Sequence, residues 1–165
     1  MEFLITNRFV VENRFPRTGG PLGLISIRDL SEKPIDHTMS HQYGETCAIL
    51  NLTFHDVDSL KIANSYKLMA FTPEMAKQVL NWVKSVVDAD IELIIVQCNA
   101  GISRSSGVVA ALSLIINGDD SWVFNDKRYL PNRLVYRTIL QIYYGSENVD
   151  FKDWRIEHGP EENLF

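Results

Sequence analysis

Along the chain, short runs rich in apolar residues alternate with stretches in which apolar residues recur at the spacing of a helix. Residues 3–6, 23–28 and 48–54 form three such runs, and residues 91–97 form a fourth that is bounded by turn-forming residues. Runs of this length and type predict β-strands. Stretches with the spacing of a helix follow the later runs, and this order of elements is typical of a sheet covered by helices.

Three helices are predicted in the second half of the chain. The first begins with Thr72 as its N-cap and Pro73 at its first helical position, and apolar residues then recur along one face. A strongly apolar helix is predicted over residues 102–116, and a third helix begins near Pro131 and Asn132. The polar residues between positions 55 and 66 indicate an exposed loop.

The composition is that of an ordinary folded domain. The chain has 165 residues, of which 45% are hydrophobic and 22% charged. We therefore predict a single domain over residues 1–165, with a polar C-terminal tail over residues 146–165. No apolar run approaches the length of about 20 residues that spans a bilayer. The first residues lack the pattern of a secretory signal, so we expect a cytoplasmic protein without membrane association.

Charge and cysteine content narrow the ligands that we expect. Lysine and arginine total 16 against 21 acidic residues, which gives a formal net charge of −5. A general nucleic-acid binder needs a basic face, so no nucleic-acid partner is expected, and an anionic ligand must be held by a local group of donors. The four histidines and two cysteines show no zinc-site spacing, so no structural metal is expected.

The segment between the fourth strand and the apolar helix carries the candidate chemistry. Cys98 stands before a helix N-terminus, which stabilises a thiolate, and Gly101 permits the positive φ that wraps amides round an anion. Arg104 could grip two phosphoryl oxygens, and Ser105 could stabilise the sulfur as a leaving group. The pattern predicts phosphate-ester chemistry. The simpler interpretation is a buried apolar cysteine and a helix-capping arginine.

The sequence CNAGISRSSG at residues 98–107 resembles the signature loop of the cysteine-dependent protein phosphatases, in particular the compact dual-specificity type. The segments GLISIRD and LTFHD are similar to that family too, and the similarity in order spans roughly residues 23–144. The resemblance implies a central, mostly parallel sheet flanked by helices on both faces. It also implies a two-step hydrolysis of phosphate esters that needs no metal and no other cofactor.

The resemblance further implies a role for each residue of this loop. Cys98 would be the nucleophile, Arg104 the phosphate clamp, and Ser105 the group that assists hydrolysis of the phosphorylated cysteine. The backbone amides of the loop would form the phosphate cradle. The substrate-binding positions are then Asn99, Ala100, Gly101, Ile102 and Ser103.

The mechanism also needs an acid that protonates the departing oxygen. In the family this acid is an aspartate on the loop after the strand that precedes the amphipathic helix. Two candidates stand there, and we prefer Asp56 over Asp58 because it lies just past the strand. The interval from Asp56 to Cys98 is longer than in compact family members, and the extra residues fit within positions 58–71. A solvated loop carboxylate is the alternative for both aspartates.

One position departs from the family pattern. The family has a histidine immediately before the nucleophile, where this chain has Gln97, which carries no charge and stabilises a thiolate less. A phosphatase-like module that binds a phosphorylated partner with little or no turnover is therefore the alternative function. A third alternative, an oxyanion reductase, needs a second working thiol, and only Cys47 is available. Cys47 could also protect Cys98 as a reversible disulfide, although a buried strand cysteine is commoner.

These observations favour hydrolysis of phosphomonoesters through a cysteinyl-phosphate intermediate. A phosphorylated protein or peptide is the expected substrate, with phosphotyrosine preferred and dual specificity left open. The interior of the loop lacks lysine, which disfavours the inositol-lipid phosphatases. Processing of an RNA 5′-phosphate stays open, although the net negative charge makes it less attractive.

Overall fold

The computed structural model describes residues 1–14, 20–35 and 47–145. The strands in this part of the chain are β1 (Glu2–Asn7), β2 (Leu22–Arg28), β3 (Cys47–Thr53) and β4 (Leu93–Cys98). The helices are α1 (Arg8–Asn13), α2 (Leu60–Tyr66), α3 (Pro73–Asp88), α4 (Arg104–Asn117), α5 (Ser121–Asn125) and α6 (Arg133–Tyr144). The predicted tail over residues 146–165 lies outside the described residues, so the limits of the domain stay a prediction.

The four strands form one parallel sheet in the order β1-β4-β2-β3. The two central strands, β2 and β4, are buried along nearly their whole length, as is usual for a parallel sheet covered on both faces. Asn7 of β1 pairs with Cys98 of β4, and Ser26 of β2 pairs with Gln97. The carboxyl ends of the strands therefore meet at one edge, and the candidate loop begins there.

Helices cover both faces of this sheet. On one face, Ile25 and Ile94 pack into the larger core together with apolar residues of α3, α4 and α6. On the other face, Leu24 and Ile95 pack with Val11 of α1. The first eleven residues of α4 are all buried, which makes it the central helix of the larger core. The prediction of an α/β fold with a parallel sheet and helices on both faces is confirmed.

The stretch predicted as an exposed loop contains α2, so that prediction was wrong in part. Ser59 caps this helix by accepting a hydrogen bond from the Ile62 N–H at 3.4 Å, and Lys67 ends it in the left-handed conformation. Within α2 the only buried residue is Ala63. The helix therefore has no apolar stripe that a hydropathy pattern could reveal.

Two further short helices were not predicted. The six residues of α1 bury Val11, and the five residues of α5 bury Val123. Elements of fewer than two turns do not repeat the helical period, so the pattern of apolar residues cannot separate them from loops. No helix of the described ranges is long and apolar enough to cross a membrane.

Candidate active site

The cysteine singled out in the sequence is the last residue of β4, where the strand leads into the loop of residues 99–103. Only 2% of Cys98 is exposed, and its thiol is free. Its Sγ lies 3.2 Å from Oγ of Ser105, which is fully buried in the first turn of α4. The central strand thus fixes the sulfur at the carboxyl edge of the sheet, and the helix holds a hydroxyl beside it.

The loop turns tightly enough to bring the start of α4 back to the sulfur. Gly101 has a φ of +72°, and a Cβ at this position would lie 2.7 Å from the carbonyl carbon and oxygen of Thr6. Both the conformation and the space therefore require glycine. Ser106 Oγ donates to the carbonyls of Ile102 and Ser103, which ties the loop to the first turn of the helix.

Within the described ranges, the N-terminus of α4 has no side-chain cap. Ser103 occupies the N-cap position, yet its side chain makes no capping hydrogen bond to the helix. The hydroxyl instead donates to Asp56. The first amides of α4 are thus left without the side-chain acceptor that usually satisfies them, and an anion could take its place.

Arg104 is buried and is anchored from one side. Its Nη1 donates to Oδ1 of Asp29 at 2.7 Å and to the carbonyl of Phe54 at 2.8 Å. Its Nε is also buried, but it has no hydrogen-bond partner within the described ranges. Buried donors are nearly always satisfied, so this nitrogen marks a position where a ligand oxygen would fit.

Asp29 is a site residue that the sequence analysis did not single out. It follows β2 directly, and its two oxygens bind two different parts of the loop: Oδ1 accepts from Arg104, and Oδ2 accepts from Nδ2 of Asn99 at 2.7 Å. The available signal was an aspartate directly after a predicted strand, in the segment GLISIRD. Only the pairing of β2 with β4 brings that strand end to the loop.

The structure brings Asp56 against the loop and holds it there with two donors. Oγ of Ser103 donates to Oδ1 of Asp56 at 2.8 Å, and Nδ2 of Asn132 donates to the same oxygen at 2.9 Å. Asp56 is exposed. Asp58 is exposed as well, but within the described part of the chain it has no hydrogen bond to the loop. Of the two candidate acids, Asp56 is the one in contact with this segment.

Two hydrogen bonds between His55 and Met69 join the ends of the segment that carries Asp56. His55 N–H donates to the carbonyl of Met69 at 2.8 Å, and Nδ1 of His55 accepts from the N–H of Met69 at 3.0 Å. The segment that contains α2 therefore begins and ends at the same place, beside Asp56. The additional residues form an attached helix and do not displace the aspartate from the loop.

Gln97 lies across the sheet from the sulfur. Its side chain is fully buried, and Nε2 donates to Oγ of Ser26 at 2.6 Å, while Oε1 has no partner in the described ranges. Successive residues of a strand point to opposite faces, so the amide of Gln97 and the thiol of Cys98 are separated by the backbone. The side chain of Gln97 therefore makes no direct contact with the sulfur.

The side chain of Cys47 lies outside the described residues, so its pairing with Cys98 and the reductase alternative both stay predictions. Within residues 1–14, 20–35 and 47–145, no group of three or more His, Cys, Asp or Glu side chains is placed to hold a metal ion.

The arrangement combines four chemical groups at one edge of the sheet. They are a buried thiol, a carboxyl group held by two donors and, as far as the structure describes the chain, a helix N-terminus without a side-chain cap and a guanidinium nitrogen without a partner. Such a set can bind a tetrahedral oxyanion, present a sulfur nucleophile to it and exchange a proton with it.

No protein-family model matches the sequence, and no curated protein matches it either. Several solved structures are nevertheless similar in fold. PTPMT1 in complex with PI(5)P has a TM-score of 0.55 and 11% identity, with 87% of this chain and 91% of that chain covered. A mutant form of Tk-PTP has a TM-score of 0.54 and 14% identity, with 87% and 91% covered.

The PTP-2 phosphatase of Cydia pomonella is similar as well, with a TM-score of 0.53 and 12% identity over 85% of this chain and 84% of that chain. At these identities the likeness concerns the fold alone. The chain has the phosphatase-like fold of the cysteine-dependent phosphatases, as the resemblance of the loop implied.

Proposed function

We propose that the protein hydrolyses phosphomonoesters through a cysteinyl-phosphate intermediate. The observation that carries this proposal is the buried Nε of Arg104, which has no partner among the described residues and lies on the helix whose first turn also contacts the sulfur of Cys98. A phosphoryl group supplies the oxygens that this nitrogen and the uncapped amides of α4 lack. The same phosphorus would then lie within reach of the sulfur.

In the first step, the thiolate of Cys98 attacks phosphorus in line and an S–P bond forms while the bond to the departing oxygen breaks. Asp56 gives its proton to that oxygen and becomes a carboxylate. Arg104 and the loop amides bind the charge that spreads over the three remaining phosphoryl oxygens. The alcohol or phenol then leaves.

In the second step, a water molecule attacks the phosphorus of the cysteinyl-phosphate and gives a proton to the carboxylate of Asp56. The S–P bond breaks, and its electron pair returns to the sulfur of Cys98. The hydroxyl of Ser105, 3.2 Å from this sulfur, stabilises the thiolate as it leaves. Inorganic phosphate is released, and the enzyme regains its starting charge.

A phosphotyrosine in a protein or peptide is the proposed substrate. Cys98 and Arg104 are only 2% and 4% exposed, so their chemistry lies below the surface, and a long aryl phosphate reaches it more easily than a short phosphoserine. PTPMT1 is solved with PI(5)P. The loop interior here has no lysine to neutralise the additional charge of such a headgroup, which favours the peptide.

The test measures hydrolysis of phenyl phosphate by the wild type and three variants. Cys98→Ser should abolish turnover because a hydroxyl at this position does not ionise. Asp56→Asn should lower kcat by about 10²-fold, within the range of general acid catalysis. Asp58→Asn is the matched control and should leave kcat unchanged. Turnover that survives Cys98→Ser would refute the mechanism, and a loss confined to Asp58→Asn would refute the choice of acid.

A second function, binding of a phosphorylated partner without turnover, is favoured by one observation. Gln97 donates to Ser26 and replaces the charged residue that the family has before the nucleophile. If the wild type shows no measurable turnover, calorimetric titration with a phosphotyrosine peptide decides between the two functions. Micromolar binding that is lost in Arg104→Ala would then support the binding module.

A further inference from the structure

Asn132 joins three parts of the molecule immediately before α6. Its Oδ1 accepts from the N–H of Val135 at 3.0 Å and so caps α6. Its Nδ2 donates to Oδ1 of Asp56 at 2.9 Å and to the carbonyl of Val57 at 3.1 Å. Its backbone N–H donates to the carbonyl of Ser103 at 3.0 Å. Every polar group of this side chain is therefore engaged, and the residue is only 3% exposed.

Close packing fixes the position of Asn132 from the other side. A Cβ at Gly107 of α4 would lie 2.8 Å from the backbone oxygen of Asn132, so the two helices approach each other without an intervening side chain. The amide thus stands on a rigid base formed by two packed helices. Rigid positioning of this kind is what a proton-transfer group requires.

The two donors to Asp56 bind the same carboxyl oxygen. Ser103 and Asn132 both direct their hydrogens to Oδ1, at 2.8 and 2.9 Å. A carboxylic acid carries one proton, and an oxygen that already accepts two hydrogen bonds is a poor place for it. The proton of the neutral acid is therefore carried by Oδ2.

We infer that Asn132 is a positioning residue for proton transfer, which holds Oδ1 of Asp56 so that Oδ2 faces the departing oxygen. This inference rests on the proposed function and assigns a residue that the loop motif does not include. In the first step Oδ2 gives its proton to the oxygen released from phosphorus, and the charge left on the carboxylate is stabilised through Oδ1. In the second step Oδ2 receives the proton of the attacking water.

The substitution Asn132→Ser tests this inference with two substrates. Serine is also a good N-cap, so α6 keeps its cap while the amide that reaches Asp56 is removed. With phenyl phosphate, whose leaving group needs a proton, kcat/KM, which reports the first step alone, should fall about tenfold, a part of the roughly 10²–10⁴-fold that general acid catalysis supplies. With 4-nitrophenyl phosphate, whose phenolate is a weak base and leaves without a proton, kcat/KM should change by less than about twofold.

A double-mutant cycle separates positioning from a general structural role. In the Asp56→Asn background no acid is left to position, so Asn132→Ser should have no further effect on the kcat/KM for phenyl phosphate. Asn117→Ser is the matched control, because it removes an amide that donates to the Met1 carbonyl at the far end of α4. Asn117→Ser should leave the kcat/KM for both substrates unchanged.

The possible failures can be told apart. Equal losses of kcat/KM with both substrates, a loss of kcat/KM that persists in the Asp56→Asn background, or no loss at all would overturn the role of Asn132 and leave the hydrolase intact. A wild type without Cys98-dependent turnover would overturn the proposed function and this inference together.

Discussion

The two halves of the proposed active site differ in how the chain builds them. The nucleophile half consists of Cys98, Arg104 and Ser105, which come from one continuous segment and are 2%, 4% and 0% exposed. The acid half consists of Asp56 with its donors Ser103 and Asn132, which stand 47 and 76 positions further along the chain. Asp56 itself is exposed.

This difference separates local from tertiary determinants of the site. The nucleophile half follows from a strand end, a turn with Gly101 at positive φ and a helix start, all within a few residues. The acid half exists only because α6 packs against α4 and brings Asn132 beside the loop. Substitutions of Cys98 or Arg104 should therefore affect both chemical steps, whereas substitutions of Asp56 or Asn132 should affect proton transfer alone.

Among the substitutions that leave the nucleophile in place, the largest effect is expected from Arg104→Lys in the nucleophile half. Lysine keeps the charge but loses the planar fork that donates to Asp29 and the Phe54 carbonyl while Nε stays available. The kcat for phenyl phosphate should fall about 10²–10³-fold, as on removal of an oxyanion-stabilising donor. Arg104→Lys should lower the kcat/KM for 4-nitrophenyl phosphate as much as that for phenyl phosphate, whereas the variants of the acid half should not.

The matched control is Arg128→Lys, at a second arginine–aspartate pair. Arg128 binds Asp126 on the surface, where its side chain is 77% exposed. Hydrogen bonds from Arg128 lower the pKa of the Asp126 carboxyl, so this pair resembles the one in the site in its chemistry but not in its burial. The kcat of Arg128→Lys should equal that of the wild type. A comparable loss in both variants would show that the buried fork has no special role.

A smaller effect is expected from Ser105→Ala, which sharpens the comparison within the nucleophile half. In the proposed second step the Ser105 hydroxyl stabilises the sulfur as it leaves phosphorus, and a hydrogen bond to a charged group is worth about 10–100-fold in rate. Because only the second step should slow, stopped-flow measurement with 4-nitrophenyl phosphate should show a burst of one phenolate per enzyme. A slower first turnover without a burst would contradict this role of Ser105.

The sequence predicts these two halves unequally well. Residues 91–116 form one continuous stretch, and its local patterns predict the strand, the turn, the nucleophile segment and the helix that follows. Asp29 and Asn132 could not be found in this way, because each acquires its role from an element that packs beside the loop. Asp56 was preferred over Asp58 from its place just past the strand, but its contacts with Ser103 and Asn132 could not be found from the sequence either.

The smallest effect is expected from Asp29→Asn, which probes the point where a neighbouring strand supports the nucleophile half. Asp29 accepts one hydrogen bond on each oxygen, from Arg104 and from Asn99, whereas an amide in either orientation leaves one of these donors without an acceptor. The loss of one hydrogen bond to a partly exposed group should lower the free energy of unfolding by about 1 kcal/mol and kcat by about threefold. Urea unfolding and phenyl phosphate kinetics measure the two quantities, with Asp126→Asn, in the arginine–aspartate pair away from the site, as the counterpart that should leave kcat unchanged. A loss of kcat as large as that in Arg104→Lys would mean that β2 is as essential to the nucleophile half as the loop itself.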